Sequence, residues 1–158
     1  MLELGKAGST GWGANVVPVL RDGEVVATLH ASNWRERATA LIHGREWVYA
    51  KQHRELTGRW VMDPEGSARL RARQGSFWRG GWDVELEGTR VEVRTASWWR
   101  STHRYLVGGR EVARSGAAGL GQRATLDGDG GLPLPQVVFL LWFELVVRRR
   151  ASAATAAA

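Results

Sequence analysis

ASNWRERATALIHGREW, Ala31 to Trp47, lies without a gap on ASWWRSTHRYLVGGREV, Ala96 to Val112, when the chain is slid along itself by 65 residues. Ala31/Ala96, Ser32/Ser97, Trp34/Trp99, Arg35/Arg100, Leu41/Leu106, Gly44/Gly109, Arg45/Arg110 and Glu46/Glu111 are identical. With Gly23/Gly88 and Val26/Val91 there are ten identities over the 27 positions from Gly23 to Tyr49, where chance would give about two or three, so the chain reads as a duplication. After a one-residue slip, RWVMDPEG at Arg59 to Gly66 lies on RATLDGDG at Arg123 to Gly130.

The repeated unit reads as strands. Glu24 to His30, Ala68 to Arg73 and Trp82 to Leu86 alternate with a period of two, which gives one dry and one wet face. Hairpin punctuation falls between them at Asp22-Gly23, Gly44-Arg45, Pro64-Glu65-Gly66, Gly88-Thr89 and Gly108-Gly109. The first repeat, about 16–81, predicts six strands near 16–20, 24–30, 38–43, 46–50, 58–62 and 67–73. The second, about 82–131, predicts five near 82–86, 90–95, 103–107, 110–114 and 122–126. Where a sixth would fall, the chain runs instead into LPLPQVVFLLWFELVVRRR, Leu132 to Arg150.

That segment is apolar from Val137 to Val147 except for Glu144. A membrane span needs about 20 apolar residues, and a carboxylate near its middle is costly in lipid. A helix apolar on every side has to be surrounded by something, and on length and charge protein is favoured over bilayer as that surrounding. A closed sheet of about eleven or twelve antiparallel strands is wide enough to hold one along its axis. Pro135 suits the first helical position, and Arg148, Arg149 and Arg150 suit the end of a helix over about 135–150. Sixteen residues span ~24 Å, comparable to the height of such a barrel. The fold class is thus mainly β, a duplicated antiparallel barrel around a C-terminal apolar helix. One domain covers 16–150, with a flexible leader at 1–15 and a disordered tail at 151–158. Glu144, the only ionisable residue between Pro135 and Arg148, is predicted to meet an arginine or backbone donors of the wall, or to sit near the mouth.

The 158 residues carry 22 Lys plus Arg against 16 Asp plus Glu, a net +6, and no Cys. Disulfides, thiolate catalysis and Cys-ligated metals are excluded. Twenty of the 22 cations are Arg, which with abundant Ala and Gly fits a GC-rich genome, so the charge alone does not identify a partner. The N-terminal stretch has no apolar core of signal-peptide length, and the protein is expected to be cytoplasmic and membrane-peripheral.

The duplicated strands with ASNWR and ASWWR, GREW and GREV, MDPEG and LDGDG, followed by VVFLLWFELVV, resemble the tubby C-terminal-like superfamily, which includes tubby domains, LURP-one-related proteins and phospholipid scramblases. The resemblance covers about Val16 to Arg150 and implies a 12-stranded barrel around a C-terminal helix. Tubby-like members bind phosphoinositide headgroups, but no matching Lys/Arg constellation is present to carry over. The Cys-rich segment of animal scramblases has no counterpart.

No catalytic constellation appears. His30, His43, His53 and His103 lack metal-ligand spacing and read as ordinary strand and loop residues. DGDGG at Asp127 to Gly131 lacks the remaining ligands of a calcium loop and reads as a turn. No metal or cofactor is expected. Residues kept in both repeats, Trp34, Trp99, Arg35 and Arg100, are structural candidates, as is Glu144. Features without a repeat partner are candidates for lipid or anion binding: Arg69, Arg71, Arg73, Trp78, Arg79, Trp82 and Trp98, with Trp12 and Phe77 beside them. Indole at headgroup depth and guanidinium on phosphate suit a membrane interface. The same pair suits single-stranded nucleic acid, the less favoured partner. The predicted function is a non-enzymatic binding module meeting anionic lipid or a protein. The alternatives are a barrel enzyme or small-ligand carrier and a nucleic-acid binder.

Overall fold

The computed structural model describes residues 1–32, 35–75, 81–97, 100–128 and 131–158. Among these, twelve antiparallel strands close into a barrel in chain order. They are β1 (Leu2–Leu4), β2 (Val16–Arg21), β3 (Glu24–Ala31), β4 (Arg37–Ile42), β5 (Arg45–Gln52), β6 (Glu55–Trp60), β7 (Leu70–Gln74), β8 (Trp82–Leu86), β9 (Thr89–Ser97), β10 (Thr102–Val107), β11 (Arg110–Ala118) and β12 (Arg123–Gly128).

Period two sets the faces. In β8, Trp82, Val84 and Leu86 are buried while Asp83 and Glu85 are exposed, and β7 and β9 alternate likewise. The tight turns Asp22-Gly23 and Glu87-Gly88 hold both residues at positive φ, 52° and 86°, 48° and 90°. Those angles match a type I′ hairpin, whose twist suits the flanking strands. The strands β3, β4 and β5 begin at 24, 37 and 45, and β9, β10 and β11 at 89, 102 and 110, a constant offset of 65.

The twelfth strand comes from the stretch read as a flexible leader. Three residues are too few to show a period, yet Leu2 and Leu4 are buried and Glu3 lies between them on the other face. β1 pairs with β12 through Leu2↔Leu126 and Glu3↔Thr125, and with β2 through Leu2↔Arg21, Glu3↔Leu20 and Leu4↔Val19. It fills the place after β12 where the second set of strands lacks its sixth member. β6 also ends earlier than expected, at Trp60. The segment after it is a built turn, in which the Arg59 guanidinium donates to the carbonyls of Trp60, Val61 and Asp63 at 3.0–3.2 Å.

The helix α1 (Leu134–Ala156) occupies the interior. Every residue from Val138 to Glu144 is at most 1% exposed, which a helix achieves only when surrounded. Tyr49 lies against Phe139 and Trp142, with centroids at 5.4 and 5.3 Å, and Trp82 meets Phe143 edge-on at 4.9 Å. Gly58 makes room for this packing, because a Cβ there would come within 3.0 Å of the Tyr49 ring.

α1 does not stop at the arginines. It continues through Ala151–Ala156, exposed but helical, so the tail is ordered further than the sequence reading had it. Alanine has the highest helix propensity and nothing in ASAATA breaks the turn. The arginines instead fasten the helix to strand ends. Arg148 donates to Gln122 O at 3.0 Å and Gly116 O at 2.6 Å, Arg149 to Ser32 O at 3.0 Å, and Arg150 to the Glu36 carboxylate at 2.5 and 2.6 Å.

No helix among the described residues is long and apolar enough to cross a membrane. Along β7, β8 and β9 the charged residues Arg71, Arg73, Asp83, Glu85, Arg90, Glu92 and Arg94 face outward while apolar residues face in. This is the reverse of a barrel that spans lipid.

Candidate functional site

Each arginine of the row meets a carboxylate where it stands, three cations on two acids. Arg69 clasps Asp63 with Nε at 2.7 Å from one oxygen and a terminal nitrogen at 3.1 Å from the other. Arg71 and Arg73 share Glu55 at 3.3 and 2.7 Å. The hydrogen bond from Arg69 holds the Asp63 carboxyl below its ordinary range, and the hydrogen bond from Arg73 does the same for Glu55. Trp82 is not at the surface: it packs inside on Phe143, with the Arg150 guanidinium 5.6 Å from its ring centroid. Trp12 is exposed on the outer wall, in a shallow groove with Val16, His30 and Leu41. Trp34, Phe77, Trp78, Arg79, Trp98 and Trp99 lie outside the described residues. At Arg35 and Arg100 the repeated feature is a backbone turn, each amide donating to the hydroxyl three residues back, Ser32 at 3.2 Å and Ser97 at 3.4 Å. Both side chains are exposed.

Glu144 is fully buried and met by donors. One oxygen accepts from the Tyr105 hydroxyl at 2.5 Å and lies 2.9 Å from His103 Nδ1. The other faces Arg148 Nε at 3.8 Å, and neither of those two atoms has a hydrogen-bond partner. Burial, reinforced by the Glu144 charge, pushes the Tyr105 hydroxyl well above its ordinary range, so it stays a donor. The wall meets Glu144 with the side chains of His103 and Tyr105 rather than with the expected arginine or backbone donors, and the arginine that faces it, Arg148, comes from α1 itself one turn on. His103 and Tyr105 both lie on the inner face of β10, two residues apart, and the period-two rule assigns that face. Which strand residue sits beside which helix residue is not written in either segment. Among the described residues no group of three or more His, Asp and Glu could hold a metal ion.

Where α1 leaves the barrel, a groove of about 1210 Å³ opens between the end of β1, the β9–β10 turn, the β11–β12 connection and the helix. Lys6, Arg100, Arg123, Arg148 and Arg149 line it, and no carboxylate does. Arg148 and Arg149 are committed to backbone carbonyls. Lys6, Arg100 and Arg123 have no acidic partner among the described residues. Ser101, Ser152 and Thr155 add hydroxyls, and Leu4, Val17 and Leu145 an apolar floor. Leu120 on the rim is fully exposed.

A second groove nearby, of about 1310 Å³, contains Lys51, Arg54, Arg71, Arg73 and Arg150 but also Glu55. Arg71 and Arg73 pair with Glu55, while Lys51 and Arg150 pair with Glu36 at 3.9 and 2.5 Å. The five cations of the second groove thus meet two carboxylates, with Arg54 unpaired among the described residues, whereas the five of the first groove have no carboxylate in their lining.

The fold class these features define is a mainly β protein, a closed twelve-stranded antiparallel barrel filled by its C-terminal helix. No protein-family model, curated protein or solved structure matches the chain.

Proposed function

We propose that the protein is a non-enzymatic binding module that associates peripherally with anionic lipid surfaces, on the cytoplasmic side, through the mouth where α1 leaves the barrel. The observation that carries this reading is the groove with five cations and no carboxylate, three of the cations without an acidic partner among the described residues. Basic side chains near an anionic surface attract it over about a Debye length. The proposal includes membership of the tubby-like superfamily. The twelve-strand barrel around a C-terminal helix is the architecture that resemblance implies, and the 65-residue offset between strand sets supports the duplication behind it.

The alternative of an enzyme or small-ligand carrier called for a helix outside the barrel, and α1 is inside. Single-stranded nucleic acid would ask for stacking indoles beside the cations. Of the described tryptophans, Trp47, Trp82 and Trp142 are buried and Trp12 belongs to a separate groove on the wall. Trp60, half-buried, has the Arg45 and Arg69 guanidiniums at 4.5 and 5.2 Å from its ring centroid, but it does not line the basic groove.

Vesicle co-sedimentation tests the reading. The protein is expected to sediment with phosphatidylserine-containing vesicles and not with phosphatidylcholine alone, with binding lost as salt rises. Arg123→Glu and Arg100→Glu should each weaken it. Tighter, salt-dependent binding to an oligonucleotide than to anionic vesicles would transfer the reading to nucleic acid.

A further inference from the structure

The geometry points to Leu120 as a hydrophobic anchor: it enters the acyl layer of an anionic bilayer while Lys6, Arg100 and Arg123 hold lipid phosphates at the groove behind it. This inference rests on the lipid-surface reading above and adds a docking direction, mouth first, with a defined penetrating residue.

Leu120 is fully exposed, and an isolated exposed leucine means little by itself. Its place gives it meaning. It stands on the rim of the groove in which positive charge is uncompensated, so the same approach that brings phosphates to the cations brings the leucine to the bilayer. Apolar residues flanked by cations at one edge are the composition of interfacial binding elements.

The turn that carries Leu120 is held from two directions. Within it, Gln122 N donates to Gly119 O at 3.1 Å, with Gly119 at φ 68°. From the helix, Arg148 donates to Gln122 O and to Gly116 O. Arg148 thus fixes the tip against α1, and the leucine remains presented outward rather than folding back on the wall. A soluble polyanion would use the cations and gain nothing from this leucine.

The opposite end of the barrel supplies an internal control. Gln136, near the start of α1, donates to Glu87 at 3.0 Å, and Glu87 N donates to Arg69 O at 2.8 Å. The β6–β7 connection lies at that end and exposes Met62, 84% accessible, without a comparable groove of unpaired cations among the described residues. Exposure alone does not separate Leu120 from Met62. Position does.

The chain contains no cysteine, so Leu120→Cys and Met62→Cys each create a unique thiol for an environment-sensitive fluorophore. With vesicles of phosphatidylcholine containing about one-third phosphatidylserine, the label at 120 should shift to the blue and brighten, and the label at 62 should not. Inositol hexakisphosphate should leave both in water. Leu120→Glu, which should melt like the wild type because the side chain is fully exposed, is expected to weaken vesicle binding about ten-fold.

If the labelled proteins sediment with anionic vesicles while the probe at 120 stays aqueous, or if 62 responds as strongly as 120, the anchor is wrong and the lipid-surface reading survives. No sedimentation with anionic vesicles overturns both.

Discussion

The Tyr105 hydroxyl donates to the Glu144 carboxylate at 2.5 Å in a site with no solvent exposure, joining β10 to the middle of the enclosed helix. His103 approaches the same oxygen at 2.9 Å and Arg148 faces the other at 3.8 Å. The site offers no second acid. It fixes the helix in rotation and height, because a carboxylate this deep is tolerated only beside these donors.

Removing the carboxylate should show this. Glu144→Ala strands the Tyr105 and His103 donors and opens a cavity, and is expected to cost ~3–5 kcal/mol in urea denaturation. Glu144→Gln keeps the volume and an acceptor, and should cost less. Tyr105→Phe, which removes the short bond but leaves His103, is expected to cost about 1–3 kcal/mol. Equal losses for Gln and Ala would show that the site contributes by packing alone.

Deleting Leu132–Ala158 should leave an insoluble or unfolded barrel. Phe139, Leu140, Leu141 and Phe143 are completely buried, and side chains of this kind contribute ~1.5–3 kcal/mol each, in sum comparable to the whole net stability of a domain. Removing only Ala151–Ala158, which are exposed, should shift the melting temperature little. A soluble truncation at 131 with unchanged melting would contradict the enclosed helix.

The short first strand closes the barrel. Leu4 is 4% exposed between β2 and β12, so Leu4→Ala is expected to cost ~2–5 kcal/mol. Hydrogen exchange should report it locally, with faster exchange at Val19 to Arg21 and Thr125 to Leu126, the partners of β1. Loss of stability without local acceleration there would show that β1 is not a seam.

Arg150 lowers the Glu36 pKa through its hydrogen bond. A carboxyl whose folded pKa lies below its unfolded value contributes stability above the unfolded pKa, about 4.3, and loses it as pH falls through the folded one. The stability difference between wild type and Glu36→Gln should therefore be largest near neutrality and close up in acid. Denaturation at neutral and acid pH checks the sign, and a gap that widens in acid would refute it.

The strand spacing, the two wet-and-dry faces and the enclosed helix were all legible in the chain, because period two, turn pairs such as Asp22-Gly23 and an apolar run too short for a bilayer are local facts. The chain's pattern also separated Glu144 from its surroundings as the one charge in an apolar run. Leu2–Leu4 was not legible as a strand, since three residues carry no period and their burial depends on β2 and β12, which come from opposite ends of the chain. The partners of the arginines were hidden for the same reason. Arg69, Arg71 and Arg73 look like a free row along one strand until the Asp63 turn and Glu55 of β6 are brought beside them. Arg148 looks like a helix terminator until its carbonyl partners on β11 and the following turn appear. The sequence by itself determined which residues turn inward, because alternation is a property of one strand. Only the tertiary structure decided which charges cancel and which remain: Coulombic pairing depends on distances across strands, and Lys6, Arg100 and Arg123 become one groove only when the barrel closes around the helix.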